Sequence, residues 1–133
     1  MSNVVDIRGE AIPPHDLEAE RCVLGALLLS PNIRREVFET LTVLDFYKGA
    51  HGDIYGVIQE LAEQGKPTDA VAVNAQLMAR NLGVKTGNAP YLHTLINEVP
   101  TAANGPHYAL IVKDAAVKRT ILATAVRITA WVH

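Results

Sequence analysis

Apolar residues recur every three or four positions along almost the whole chain, which is the spacing of an amphipathic helix. No segment alternates between apolar and polar residues over enough positions to predict a strand. The pattern therefore predicts an all-α fold. We expect a flexible leader over residues 1–14, a compact globular head of about five helices over residues 15–105, and a long helix over residues 106–133.

Cap and turn signals divide the head into helices. Asp16 is expected to begin the first helix, and Gly25 within it predicts a close approach by a neighbouring helix. Ser30-Pro31 has the form of an N-cap followed by proline at the first helical position, and Gly65 suits a left-handed C-terminal residue. The side chains expected to face the core are Leu17, Val23, Leu24, Leu27, Leu28, Ile33, Val37, Phe38, Leu41, Ile54, Val57, Ile58, Leu61, Val73, Leu77, Met78, Tyr91, Leu92, Leu95 and Ile96.

The last helix differs from the others because it carries two apolar stripes. One stripe contains Tyr108, Ile111, Val112, Ala115, Leu122 and Val126. The other contains Val117, Ile121, Thr124, Ile128 and Trp131, at the a/d spacing of a seam between two helices. A helix with two apolar faces must bury both. Either the second stripe meets a helix from outside this chain, or the long helix crosses the middle of the bundle. We also expect the helix to continue beyond His133 in a longer protein.

Composition bounds the class of protein. A chain of 133 residues with 49% hydrophobic and 20% charged residues is long enough for one folded domain. The single cysteine, Cys22, excludes an internal disulfide and favours a reducing compartment. No apolar run approaches the roughly 18 residues that span a bilayer, and the amino terminus does not have the form of a secretory signal. We therefore expect a cytoplasmic protein without a membrane partner.

Charge is distributed unevenly along the chain. Residues 1–103 hold 8 Lys/Arg against 13 Asp/Glu, whereas residues 104–133 hold 4 against 1. An acidic body with a pI near 6.2 is unlike a duplex-binding domain, which usually presents a basic surface. The basic residues of the last helix are most simply a solvated face, with favourable charge near the helix carboxyl end.

No catalytic, cofactor or metal site is predicted. A phosphate-binding loop needs Gly-x-x-x-x-Gly-Lys-Ser/Thr. The nearest candidate, Gly65-Lys66-Pro67-Thr68, has proline after the lysine and Glu60 in place of the first glycine. No two of the five histidines have the i, i+4 spacing of a metal-binding helix. His51 lies near two polar residues, but such a neighbourhood at a helix start is usually structural. Cys22 is expected to be a small packing residue.

Several short motifs, in their order and spacing, resemble the amino-terminal domain of DnaB-type replicative DNA helicases across about residues 12–133. They include Pro13-Pro14-x-Asp16-x-Glu18-Ala19-Glu20, Asp45-Phe46-Tyr47 and Val99-Pro100-Thr101-Ala102-Ala103-Asn104. The residues that carry the resemblance are Asp16, Glu20, Leu24, Gly25, Phe46, Tyr47, His51, Tyr55, Tyr91, Pro100 and Asn104. One departure is Ala72, where the family often has a threonine that caps the fourth helix. Asp69 is then expected to cap that helix, or its end frays.

The resemblance implies an all-helical head followed by a helical hairpin. In that family, heads pair and three pairs form a collar on a hexameric ring. A separate RecA-like motor domain, absent here, uses ATP and Mg to translocate on single-stranded DNA. Primase docks on the collar, and a helicase loader is a further possible partner. The chain itself would then be no enzyme, although its parent would be an ATP-dependent helicase. Self-association is expected through Val117, Ile121, Ile128 and Trp131, with Thr124 as a lesser contact.

Two other functions stay open from the sequence. The chain could be a stand-alone helical adaptor of the replication machinery, which the length of its gene would decide. It could also be a nucleic-acid-binding module that contacts phosphates through Lys113, Lys118, Arg119 and Arg127. Four such contacts would give a log–log salt slope of about −3.6 on duplex DNA.

Overall fold

The computed structural model describes residues 12–133, and within them the predicted all-α fold is confirmed. The helices of this range are α1 Leu17–Leu29, α2 Arg34–Thr40, α3 Gly49–Glu63, α4 Ala70–Ala79, α5 Asn88–Glu98 and α6 Gly105–Val132. Three short 3₁₀ turns precede α2, α3 and α6. The predicted flexible leader falls largely on residues 1–11, which lie outside the described residues.

Local signals begin α1 and α4 and end α3 as predicted. The Asp16 carboxylate accepts from the Ala19 amide at 2.9 Å, and the Asp69 carboxylate accepts from the Ala72 amide at 2.9 Å. Asp69 therefore caps α4, which was one of the two outcomes expected there. Gly65 follows α3 with a φ of 69°, in the left-handed region that favours glycine.

The expected cap at Ser30 is wrong in part. Ser30 occupies the N-cap position, but its side chain makes no capping hydrogen bond. Pro31 begins a 3₁₀ turn, Pro31–Ile33, and the regular α-helix follows only at Arg34. The tighter turn brings Ile33 into the core, where it is buried against the last helix.

Helix α1 forms the centre of the head. Nine of its 13 residues are buried, and it packs against α3, α5 and α6. The interior Gly25 permits the contact with α5, because a Cβ at this position would collide with the Leu95 carbonyl oxygen. The close approach predicted from this glycine is therefore confirmed.

One core expectation is wrong, and a second is confirmed only in part. Met78 is 60% exposed, because α4 buries only the face that holds Val73 and Leu77. Helix α6 meets the head through part of the predicted stripe, since Tyr108, Ile111 and Val112 pack on the core, and also through small residues that the stripe did not include. Its buried residues are Gly105, Ala109, Val112 and Ala116, which allow the backbone of α6 to lie close to α1. In the predicted stripe, Val112 is buried, Tyr108, Ile111, Ala115 and Leu122 are half-buried, and Val126 is exposed.

Helix α6 is the longest element of residues 12–133, with 28 residues. Despite that length, neither α6 nor another helix in this range is apolar enough to cross a membrane.

Candidate interaction surface

Helix α6 runs past the head, and its second stripe is uncovered. Ala116 is the last buried residue of the helix. We call Val117, Ile121, Thr124, Ile128 and Trp131 the α6 seam. Thr124 is half-buried, whereas the exposure of the other four members runs from 46% for Val117 to 87% for Trp131. The alternative in which this helix crosses the middle of the bundle is therefore wrong, and no part of residues 12–133 covers the α6 seam.

The carboxyl-terminal half of α6 is apolar on more than one side. From Ile121 to Val132 the only charged residue is Arg127. Val126 and Val132, which lie outside the α6 seam, are also exposed. A helix that is apolar all round is normally buried on all sides. The α6 seam is therefore part of a wider apolar surface at this end of the helix.

Lys113 and Arg119 fix α6 to the head. Lys113 pairs with the Asp45 carboxylate at 3.1 Å. Arg119 donates to the Pro14 carbonyl at 2.9 Å and to the Asp45 carbonyl at 2.6 Å, and its guanidinium lies over the Tyr47 ring. The interpretation of the basic residues as a solvated face is therefore wrong for these two. Since both cations already hold protein groups, they are poorly placed to contact nucleic acid phosphates.

The head contains a buried polar network that the sequence reading missed. His51 Nδ1 donates to Glu20 Oε1 at 2.8 Å, and His51 Nε2 shares a hydrogen bond with the Tyr91 hydroxyl at 2.6 Å. The Glu20 carboxylate also accepts from the backbone amides of Tyr47 and Lys48 at 2.7 and 3.3 Å. Those amides lie at the N-terminus of α3, where free N–H groups and the helix dipole favour an anion. The network joins α1, α3 and α5.

One signal in the sequence could have found this network. Glu20 stands three, four and seven residues before Val23, Leu24 and Leu27, so it belongs to the apolar stripe of α1. A carboxylate at such a position needs buried partners. Glu20 is 1% exposed and His51 is 0% exposed. Burial also raises the pKa of Tyr91. The polar groups satisfy one another, which is the arrangement of a structural network.

The other residues that carry the family resemblance lie in the core or at the ends of helices. Leu24, Phe46 and Tyr55 are buried in the core, and the Tyr55 hydroxyl donates to the Leu41 carbonyl at 2.8 Å. Pro100 follows the end of α5. Asn104 occupies the N-cap position of α6 without a capping side-chain bond.

Residues 12–133 contain few side chains placed to bind a metal ion or to act as a nucleophile. No three His, Cys, Asp or Glu side chains of this range lie close enough together to hold a metal ion. Cys22 is buried, with its Sγ 3.9 Å from the Glu98 carbonyl, and burial raises the pKa of its thiol. A buried thiol with a raised pKa is a packing group instead of a nucleophile.

A family model described as the DnaB-like helicase N-terminal domain matches residues 12–114. The chain belongs to this family. It is 46% identical over 119 residues to the replicative DNA helicase DnaB of Mycobacterium leprae (strain TN), covering 90% of this chain and 20% of that protein. The chain thus spans about a fifth of the length of that relative.

Solved structures of DnaB proteins have the same fold. The crystal structure of the N-terminal domain of DnaB helicase from Mycobacterium tuberculosis superposes with a TM-score of 0.89 at 46% identity. The superposition covers 90% of this chain and 86% of that one. A DnaB-like replicative helicase, described with its interactions with primase, superposes with a TM-score of 0.76 at 26% identity, over 88% of this chain and 28% of that one. The resemblance stated from the sequence is therefore confirmed.

Proposed function

We propose that this chain is the collar domain of a hexameric, ATP-dependent replicative DNA helicase and that the α6 seam mediates its self-association. The observation that carries the proposal is the uncovered seam on a helix whose other face is anchored to the head. Membership of the DnaB-like family supports the helicase context. The buried polar groups of the head are paired with one another, which supports a structural role for them.

In this proposal, catalysis belongs to a motor domain of the parent protein. That domain would bind ATP and Mg and translocate on single-stranded DNA in the cytoplasm. The proposal assigns neither nucleotide nor DNA to the residues described above. The collar would organise subunits and provide a docking platform.

Primase is the partner proposed for the assembled collar, and a helicase loader is a further candidate. The support for primase is that a related DnaB-like helicase is described with its interactions with primase.

The self-association proposal has an energetic basis. Burying one large apolar side chain is worth about 1.5–3 kcal/mol. Four members of the α6 seam are large and exposed, so their mutual burial offers several such contributions. The loss of rigid-body freedom on association opposes this gain. A single charged substitution in the seam should therefore have a large effect on assembly.

We predict that Ile121→Asp and Trp131→Ala each weaken self-association of the chain by at least about tenfold, because each removes apolar burial from the seam. Sedimentation equilibrium over a range of protein concentrations measures this change. Val84→Asp is the matched control, since Val84 is also an exposed aliphatic residue but lies between α4 and α5. Unchanged mass for both seam variants, or an equal loss in the control, would contradict the assignment.

A further inference from the structure

The head carries an open pocket on the loops that precede α2 and α4. Its volume is about 330 Å³, at the lower end of the range of ligand pockets. Leu28, Leu29, Pro31 and Pro67 supply apolar walls. Leu29 is exposed there although it directly follows the buried residues Leu27 and Leu28. The pocket lies on different elements from the α6 seam, and the proposed function does not use it.

Arg34 gives the pocket a positive charge. Its guanidinium is half-buried and donates to the Thr68 hydroxyl at 3.1 Å. No aspartate or glutamate of residues 12–133 forms an ion pair with it. A guanidinium has five N–H donors, so most of them remain for another group. By contrast, the next residue, Arg35, pairs with Glu39 on the solvent side of α2.

A second cation and one carboxylate stand beside Arg34. Lys66 is exposed and lines the same pocket. Asp69 is also a lining residue, but its carboxylate caps α4 through the Ala72 amide. The side chains that line the pocket therefore offer two cations against one carboxylate that already has a partner. This balance favours an incoming carboxylate.

We propose that this pocket binds a short segment of a partner protein in which an aspartate or glutamate stands beside an aliphatic side chain. The carboxylate pairs with Arg34 and Lys66, while the aliphatic side chain packs on Leu29 and the proline walls. Nucleic acid is the poorer occupant, because a polyanion needs a basic surface over many phosphates. The head, residues 15–105, holds 7 Lys/Arg against 11 Asp/Glu.

Nuclear magnetic resonance of the ¹⁵N-labelled 133-residue chain tests the pocket. The probe is the synthetic peptide acetyl-Ser-Leu-Leu-Asp-Leu-Gly-amide, and its counterpart has Asn in place of Asp. The Asp peptide should shift the amides of Leu29, Arg34 and Lys66 in a saturable way. The Asn peptide, and the Arg34→Gln variant, should bind about tenfold more weakly, as expected for loss of a charge-assisted hydrogen bond.

The matched control is Arg35→Gln, which should bind the Asp peptide as the unsubstituted chain does, because Arg35 faces solvent. Lys66→Gln is a second test at an exposed position and should weaken binding several-fold, even if Arg34→Gln disturbs the fold. Binding should persist in Ile121→Asp, which separates the pocket from the α6 seam. The proposal would be overturned if the two peptides bound with equal affinity or if millimolar peptide caused no saturable shift. It would also be overturned if a ten-nucleotide thymidine oligomer caused shifts and the peptide did not.

Discussion

Glu20 lies among leucines and valines, and its carboxylate oxygens accept hydrogen bonds from three donors there. A buried carboxylate without such partners would be strongly destabilising. The sequence marks Glu20 as a family-motif residue and places it in the first turns of α1. It does not show that His51 meets Glu20 or that Tyr91 meets His51, because the members of these two pairs are 31 and 40 residues apart and their contacts depend on how the helices pack.

We predict that Glu20→Gln lowers the free energy of unfolding by about 2–3 kcal/mol, because an amide nitrogen would face donors and the α3 N-terminus would lose its anion. Urea unfolding followed by circular dichroism measures the change. Glu18→Gln is the matched control on the same helix, since Glu18 is exposed, and it should change stability by less than about 0.5 kcal/mol. Similar losses in the two variants would contradict a special role for the buried carboxylate.

At the scale of elements, helix starts and core stripes were the most predictable features. Asp16, Asp69 and Gly65 act locally, so their roles can be read from neighbouring residues. The errors at Met78 and along the head-facing side of α6 arise from packing between elements. A pattern of apolar positions predicts that the large apolar side chains face the core. Helix α6, however, approaches α1 closely at Gly105, Ala109 and Ala116, because these residues are small.

Two helix-interior glycines give a matched prediction. Gly25→Ala should destabilise the chain by about 1–3 kcal/mol, because the added methyl group would collide with the α5 backbone at Leu95. Gly56→Ala in α3 should instead stabilise it by up to about 1 kcal/mol, since its Cβ would meet only Val43 at an ordinary 3.5 Å and alanine favours helix. Thermal unfolding of both variants measures these effects. A neutral or stabilising Gly25→Ala would contradict the close helix contact.

For the whole molecule, the described chain combines an acidic head with a helix that extends beyond it. The spacing of the α6 seam could be predicted from the sequence, but its exposure could not. A helix that buries its second stripe inside its own bundle has the same spacing of apolar residues. The structure decides for exposure: Arg119 and Lys113 hold one side of α6 on the head and leave the other side free. How copies of the chain assemble stays a prediction.

Hydrogen–deuterium exchange at low and high protein concentration tests the central claim most directly. Amides gain protection where association buries and orders a helix. If the α6 seam mediates assembly, the protection gained at high concentration should concentrate in residues 117–132 and disappear in Ile121→Asp. Protection gained only in α1 to α5, or none gained by a chain that sedimentation shows to be associated, would contradict the account.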